Sequence, residues 1–307
     1  MSDPLLVIVG PTAAGKSRNA MALCERLEGE IISADSVQVY RGLDIGSAKA
    51  TREERARVVH HCLDLITPDQ RLDAASWANH AESAIRAVRA RGRLPIVCGG
   101  TGLYVRALLR GLIAIPDIPD ALRAEVRQEV ATRGSEAMHQ VLREVDPEAA
   151  ERIAPRDRQR IGRALEVWRA TGRALSDWQA EHRFKKRRYE AHVIGLWPER
   201  ETLYARIDQR VQLMLQQGWF DEVRALLASG VSPEAPGLQT MGYRDVCAAL
   251  EAGLGEADVV EAIARSHRRY ARRQLVWFRG VTTREEGLVH YTPDQAGLID
   301  ALVHLLA

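Results

Sequence analysis

The chain has 307 residues, 46% of them hydrophobic and 27% charged, with a formal net charge of +2 at pH 7. These values describe an ordinary soluble globular protein, long enough for one large domain with an insertion. No run approaches the ~18 apolar residues of a transmembrane helix, so none is expected.

Met1 to Pro4 leads straight into an apolar run, so no signal peptide is expected. Cys24, Cys62, Cys98 and Cys247 lie far apart, without a C-x-x-C pair or a histidine at metal-ligand spacing. Reduced thiols packed as small hydrophobes in a cytoplasmic protein are expected.

Leu5–Val9 reads as a buried parallel strand. It runs into Gly10-Pro11-Thr12-Ala13-Ala14-Gly15-Lys16-Ser17, and a helix over Lys16–Leu27 follows. Strand, G-x-x-x-x-G-K-S and helix in this order make a P-loop. Its glycines let backbone N–H groups point inward at an anion, and the helix N-terminus adds partial positive charge. Lys16 can reach the terminal phosphate and Ser17 can offer its hydroxyl to Mg²⁺. The motif specifies a diphosphate-bearing ligand without specifying ATP.

Glu30–Ala34 reads as a second strand ending at Asp35, 73–91 as a long helix, and Leu94–Cys98 as a strand entering Gly99-Gly100-Thr101-Gly102. This alternation predicts an α/β fold, a parallel sheet with helices on both faces. Ligands in such sheets sit at the carboxyl ends of the strands, which places the P-loop, Asp35 and Thr101 on one rim. Pro116 and Pro119 then punctuate the chain. From 120 to 182 the pattern is helical throughout (121–133, 135–145, 158–171), which predicts an all-helical insertion over 117–190 between core segments 1–116 and 191–307. Strand character returns at His192–Trp197, followed by helices over 199–217 and 259–278.

Asp35 could ligate Mg²⁺, take a proton from a nucleophile, or cap the following turn. Thr101 could bring its hydroxyl to a ligand or serve as an N-cap. P-loop phosphotransferases often carry a carboxylate after such a strand; here Gly99 and Gly100 occupy that place, which weakens an ATPase reading. Arg206 and Arg210 share a helix face, and could bind phosphate or pair with Glu201 or Asp208. His60 and His61 lack a third metal ligand and read as structural.

The small net charge hides segregation. Between Arg265 and Arg284 there are seven arginines and no acidic residue. Arg265, Arg268, Arg269, Arg272 and Arg273 fall on one helical stripe, with Ile263, Tyr270 and Trp277 on another face. Two smaller basic clusters are Lys185–Arg188 and Arg156, Arg158, Arg160 and Arg163. Stripes of this kind favour a nucleic-acid backbone over a solvated face.

Taken together, several stretches resemble the tRNA dimethylallyltransferase (tRNA isopentenyltransferase) family along nearly the whole chain. They are Gly10–Ser17, Ser33–Ile45, Gly99–Tyr104, Asp157–Val167, Arg206–Arg210, Met241–Arg244 and Tyr270–Arg279. The Asp-Ser-x-Gln-Val-Tyr and Arg-Arg-Gln-x-x-Trp-Phe-Arg runs are the most specific. The resemblance implies a P-loop-kinase-like fold and transfer of a five-carbon group from dimethylallyl diphosphate to N6 of the adenosine 3′ of the anticodon.

It also implies roles for residues. The P-loop, Lys16, Ser17 with Mg²⁺, and Arg210 would stabilise the leaving diphosphate. Asp35 would accept or orient the amine proton, and Thr101 would hold the amine or the diphosphate. Implied tRNA contacts are Asp35, Ser36, Val37, Gln38, Thr101, Arg123, Gln159, Arg160, Ile161, Gly162, Arg163, Gln239, Thr240, Met241, Gly242, Tyr243 and Arg244. To these the resemblance adds Arg272, Arg273, Gln274, Leu275, Val276, Trp277, Phe278 and Arg279. The insertion would close over the anticodon stem-loop. No membrane is involved, and nothing in the sequence calls for a partner subunit, so a monomer is expected. The competing readings are an isopentenyltransferase acting on free AMP or ATP, a kinase of similar fold, and a P-loop RNA-binding module without catalysis.

Overall fold

Leu5–Val9 form strand β1, and every one of these side chains is fully buried. Such a run, apolar on both faces, fits only the middle of a sheet covered on both sides. In the computed structural model, which describes residues 5–113, 115–182 and 187–306, β1 lies between two parallel neighbours. The other strands are β2 (Gly29–Ser33), β3 (His60–His61), β4 (Leu94–Gly99), β5 (Ala191–Leu196) and β6 (Val289–Tyr291). Their order is β3-β2-β4-β1-β5-β6 and every pairing is parallel.

The helices before the insertion are α1 (Lys16–Leu27), α2 (Arg52–Arg57), α3 (Ala74–Ala90) and α4 (Gly102–Arg110). Alternation along the strands decides what they cover. Leu6, Ile8, Ile31, Ile96, Ile194 and Leu196 pack with Leu23 and Met21 of α1 and with Leu298 and Leu302 near the C-terminus. Helix α3 packs against β2 and β4, and its buried Trp77 donates its indole N–H to the Ser33 carbonyl at 3.1 Å.

By packing, the chain divides into a unit of 1–109 with 188–307 and a unit of 110–187. The second unit is helical among its described residues: α5 (Asp120–Arg133), α6 (Ser135–Val145), α7 (Pro147–Arg152), α8 (Arg158–Thr171) and α9 (Leu175–His182). Its own core is built from Val126, Val130, Met138, Leu142, Ile161 and Leu165. Buried Asp146 caps α7 through the Ala149 N–H and accepts both the Ser176 N–H and hydroxyl. That satisfies its charge where a lone buried carboxylate would be costly.

The remaining helices belong to the first unit: α10 (Arg200–Gln216), α11 (Trp219–Ala228), α12 (Tyr243–Glu251), α13 (Glu256–Trp277), α14 (Thr283–Glu286) and α15 (Leu298–Leu306). A π-turn over Phe278–Thr282 joins α13 to α14. His60 and His61 are structural, as the sequence indicated. His61 pairs with buried Glu30 at 2.6 Å, and the His60 ring contacts the Val58 carbonyl.

Candidate active site

The P-loop occupies the carboxyl end of β1. Three of its residues have positive φ: Gly10 (+154°), Ala13 (+61°) and Gly15 (+78°). At Gly10 a Cβ would sit 2.7 Å from the Leu196 carbonyl oxygen, so no larger residue fits. Ala13 stores the strain of a left-handed non-glycine residue at the tip of the loop. No side chain caps α1, so its first N–H groups are left for an anion.

Beside this loop is a cleft of about 640 Å³, lined by the Ala13–Arg18 stretch and by Arg206, Gln209, Arg210, Gln212, Leu213 and Gln216 of α10. Lys16 points its ammonium at the Pro11 carbonyl, 2.7 Å away. Burial, with a smaller push from the nearby Arg210 charge, brings its pKa down from 10.5 to about 8 against the opposing pull of Cys98 and Asp35. Burial also lowers Arg210, and Asp35 again pulls the other way. Among the described residues no carboxylate pairs with Arg210. An anion in the cleft would offset the desolvation of these two cations.

Arg206 behaves differently. It pairs with Asp294, as does Arg18, and this holds Asp294 below the ordinary carboxylate range. Neither Glu201 nor Asp208 is its partner. Asp208 pairs instead with Arg268 of α13.

Asp35 and Thr101 converge on the same rim. One Asp35 oxygen accepts the N–H of Val37 at 2.8 Å and of Gln38 at 3.3 Å. Asp35 therefore caps its turn, yet its other oxygen has no hydrogen-bond partner among the described residues. The Thr101 hydroxyl does not cap α4; it accepts the Ser36 N–H at 3.0 Å, and the Thr101 N–H donates to the Ala34 carbonyl at 3.0 Å. These bonds lock the β2 and β4 loops together. Gly99 permits it, since a Cβ there would lie 2.1 Å from the Ala34 carbonyl oxygen.

Several residues with implied RNA contacts have buried side chains. The side chains of Ile161, Tyr243 and Phe278 are fully buried and build the core, and Gly162 is buried beside Ile161. Gln274 is 6% exposed and both ends of its amide are spent on backbone. Gln38 uses its amide on Ser33, Ser47 and Ala48, shaping its own loop. The Tyr243 hydroxyl donates to Glu222 at 2.6 Å, and Glu222 also accepts the N–H groups of Asp44 and Ile45. Gln239, Arg244, Arg272, Arg273, Val276 and Arg279 are exposed. Arg123, Gln159, Arg160 and Arg163 lie in the helical unit. Arg123, Arg160 and Arg163 pair with Asp120, Asp157 and Glu166 on their own helices or caps.

The arginine stripe on α13 also divides. Arg268 pairs with Glu261 at 2.6 Å and with Asp208, and Arg265 approaches Glu261 at 3.7 Å. The acid one turn upstream neutralises the first part of the stripe. Arg269, Arg272 and Arg273 are exposed and have no carboxylate partner among the described residues. In the basic cluster at 185–188, Lys185 and Lys186 lie outside the described residues, and Arg188 pairs with Glu82 at 2.6 Å. Arg156 pairs with Glu136 at 3.2 Å.

Among the described residues no cluster of three or more His, Cys, Asp or Glu could hold a metal ion. The exposed Ser17 hydroxyl, together with a bound diphosphate and water, would supply the oxygen donors that a hard divalent cation such as Mg²⁺ accepts. No helix among the described residues is long and apolar enough to cross a membrane.

Residues 38–281 match the family model described as IPP transferase, and residues 4–66 match one described as isopentenyl transferase. A tRNA dimethylallyltransferase of Anaeromyxobacter dehalogenans is 50% identical over 292 residues, 94% of this chain and 93% of that protein. The tRNA dimethylallyltransferase 2 of Geotalea uraniireducens is 46% identical over 274 residues, 89% of this chain and 88% of its own. A crystal structure of the full-length tRNA isopentenylpyrophosphate transferase from Bacillus halodurans superposes with a TM-score of 0.70 at 35% identity, covering 99% of this chain and 95% of that one.

Proposed function

The chain belongs to the tRNA dimethylallyltransferase family, and on that premise we propose that it transfers a dimethylallyl group from dimethylallyl diphosphate to N6 of the adenosine 3′ of the anticodon, releasing diphosphate. The observation that supports this reading is the rim: a P-loop with two burial-stressed cations, Lys16 and Arg210, that no carboxylate among the described residues pairs, close to the half-occupied carboxylate of Asp35.

The C1–O bond of the donor breaks and its electron pair leaves with the diphosphate. The P-loop N–H groups, Lys16 and Arg210 meet the charge that develops there, the largest stabilisation available to such a step. The N6 lone pair, weakened by delocalisation into the ring, forms the new bond to C1. N6 then sheds a proton, which the free oxygen of Asp35 accepts. Its other oxygen stays bound to its own turn, which fixes the carboxylate's direction. Thr101 holds the Ser36 turn in place and so fixes where the amine meets C1. Mg²⁺, when bound through Ser17 and the diphosphate, would spread charge over the leaving group.

The reacting base must leave its stack to enter, at a cost of a few kcal/mol. Arg269, Arg272 and Arg273 offer phosphate contacts that offset this. The helical unit of 110–187 adds further RNA contacts through its exposed arginines, whose surface pairs are weak enough to exchange for phosphate.

Diphosphate release with dimethylallyl diphosphate and Mg²⁺ tests the reading, with unmodified tRNA in one tube and AMP in another. Release that depends on tRNA alone supports it. Release with AMP alone would assign the enzyme to free nucleotides.

A further inference from the structure

Helix α13 carries Tyr270 and Gln274 one turn apart on its inner face, opposite the exposed arginines. Gln274 is buried, and its amide bridges two separate loops. Its Oε1 accepts the N–H of Thr12 in the P-loop at 2.8 Å, and its Nε2 donates to the Gly100 carbonyl at 3.0 Å. These partners fix which end of the amide is which, because a flipped amide would set donor against donor and acceptor against acceptor. The site is shaped for it: a Cβ on Gly100 would lie 2.2 Å from the Gln274 Nε2. The Tyr270 hydroxyl adjoins both the Gln274 amide and the Thr101 hydroxyl, and burial pushes its pKa up to about 12, so it stays neutral. Thr101 in turn holds the Ser36 N–H. Gln274 thus joins the loops after β1 and β4, and Thr101 joins the β4 loop to the loop after β2.

We propose that Gln274 is a positioning residue: it sets the P-loop in register with the Thr101 turn, and so fixes the donor's diphosphate relative to the group it transfers. The role rests on the proposed transfer reaction for its kinetic consequence, but not for its effect on anion binding. With Thr12 N–H released, the loop loses one of its few fixed points, since strained Ala13 and flexible Gly15 cannot hold it alone. An error near 1 Å between reacting groups costs on the order of 10²-fold in rate. The exposed RNA-facing arginines are not part of this network, so RNA affinity does not depend on it.

The test compares Gln274→Ala and Gln274→Glu with the unaltered protein. Inorganic diphosphate binding is measured by calorimetry, tRNA binding by filter retention, and transfer by initial rates across pH. For Gln274→Ala the expected result is at least a tenfold loss in diphosphate affinity or in kcat, with tRNA affinity changed less than twofold. Gln274→Glu gives the more specific signature. A protonated carboxyl offers an O–H to the Gly100 carbonyl and a carbonyl oxygen to the Thr12 N–H, replacing the N–H and the oxygen the amide uses there. An ionised carboxylate would instead face the Gly100 carbonyl. Activity relative to the unaltered protein should therefore recover as pH falls, a trend that simple loss of packing would not produce.

Equal losses in tRNA and diphosphate affinity, or unchanged diphosphate affinity and kcat in folded Gln274→Ala, would overturn the proposal. So would a Gln274→Glu activity ratio that does not vary with pH. If neither protein transfers the group to tRNA, the transfer reading fails, while the diphosphate titration still decides whether Gln274 positions the loop.

Discussion

Lys16 should take up a proton when diphosphate binds, and the amount follows from its surroundings. Burial and the Arg210 charge hold its pKa at about 8 in the free protein. About half of the molecules then lack the charge at pH 8, and about nine-tenths lack it at pH 9. A bound diphosphate supplies the opposite charge and returns the group to its cationic form. Calorimetry in two buffers of different ionisation enthalpy counts the protons exchanged. Lys16→Met serves as the reference, since proton exchange by diphosphate itself is common to both proteins. The difference between them should be about 0.5 proton at pH 8 and about 0.9 at pH 9. Loss of the charge-assisted hydrogen bond should weaken binding at pH 7 by ~1.5–3 kcal/mol, or about 10- to 150-fold.

The same shift has a stability consequence with the opposite sign. Because the folded pKa lies below 10.5, the unfolded chain holds more protons between pH 8 and 10.5, and ligand-free stability gains from Lys16 as pH rises through that window. Lys16→Met should remove this rise and be the more stable protein below pH 8. Equal proton uptake by the two proteins would refute the placement of Lys16 against the diphosphate.

Other outcomes follow from the same geometry. Asp35→Asn keeps an oxygen for the Val37 and Gln38 N–H groups but removes the base. It should lower kcat by about 10²–10⁴ while tRNA affinity holds; a large loss of tRNA affinity with intact chemistry would reassign Asp35 to recognition. Neutralising Arg269 and Arg273 together should flatten the salt dependence of tRNA binding, by roughly 0.7–0.9 in log–log slope per lost phosphate contact. An unchanged slope would return these arginines to a solvated face. Burial pushes the Glu30 pKa up, but the hydrogen bonds from Arg91 and His61 outweigh it and the net direction is down. Its stabilisation is therefore present above the unfolded value of 4.5 and lost as pH falls through the folded one. Glu30→Gln should show a flatter acid limb in thermal unfolding, and an unchanged limb would dismiss that cluster as the acid-sensitive element.

Much of this arrangement is legible in the chain because it is local. The P-loop, the strand ends at Asp35 and Gly99, and the long helix at 256–277 announce themselves through spacing and apolar runs. The parts that are not legible depend on residues distant in sequence. Asp294 lies 88 residues beyond Arg206, yet holds it. Asp208 and Glu261 cancel the first arginines of a stripe that looks acid-free from 265 onward. Gln274 reads as one more polar residue in a basic run, and only the 262-residue bridge to Thr12 shows that it faces inward. Glu222 gives no local signal at all, although it holds Tyr243 against the 44–46 loop. For Ile161 and Phe278, the family resemblance implies RNA contact, whereas helical packing buries both side chains.

The most direct test of the central claim is nuclease mapping of the transferred group. Unmodified tRNA is incubated with dimethylallyl diphosphate and Mg²⁺, cut with a base-specific nuclease, and its fragments are weighed. The account predicts a single isopentenyl mass gain, confined to the fragment holding the adenosine 3′ of the anticodon and appearing about 10²–10⁴ times more slowly with Asp35→Asn. A gain at any other nucleotide, or none in tRNA beside a gain on AMP, would contradict it.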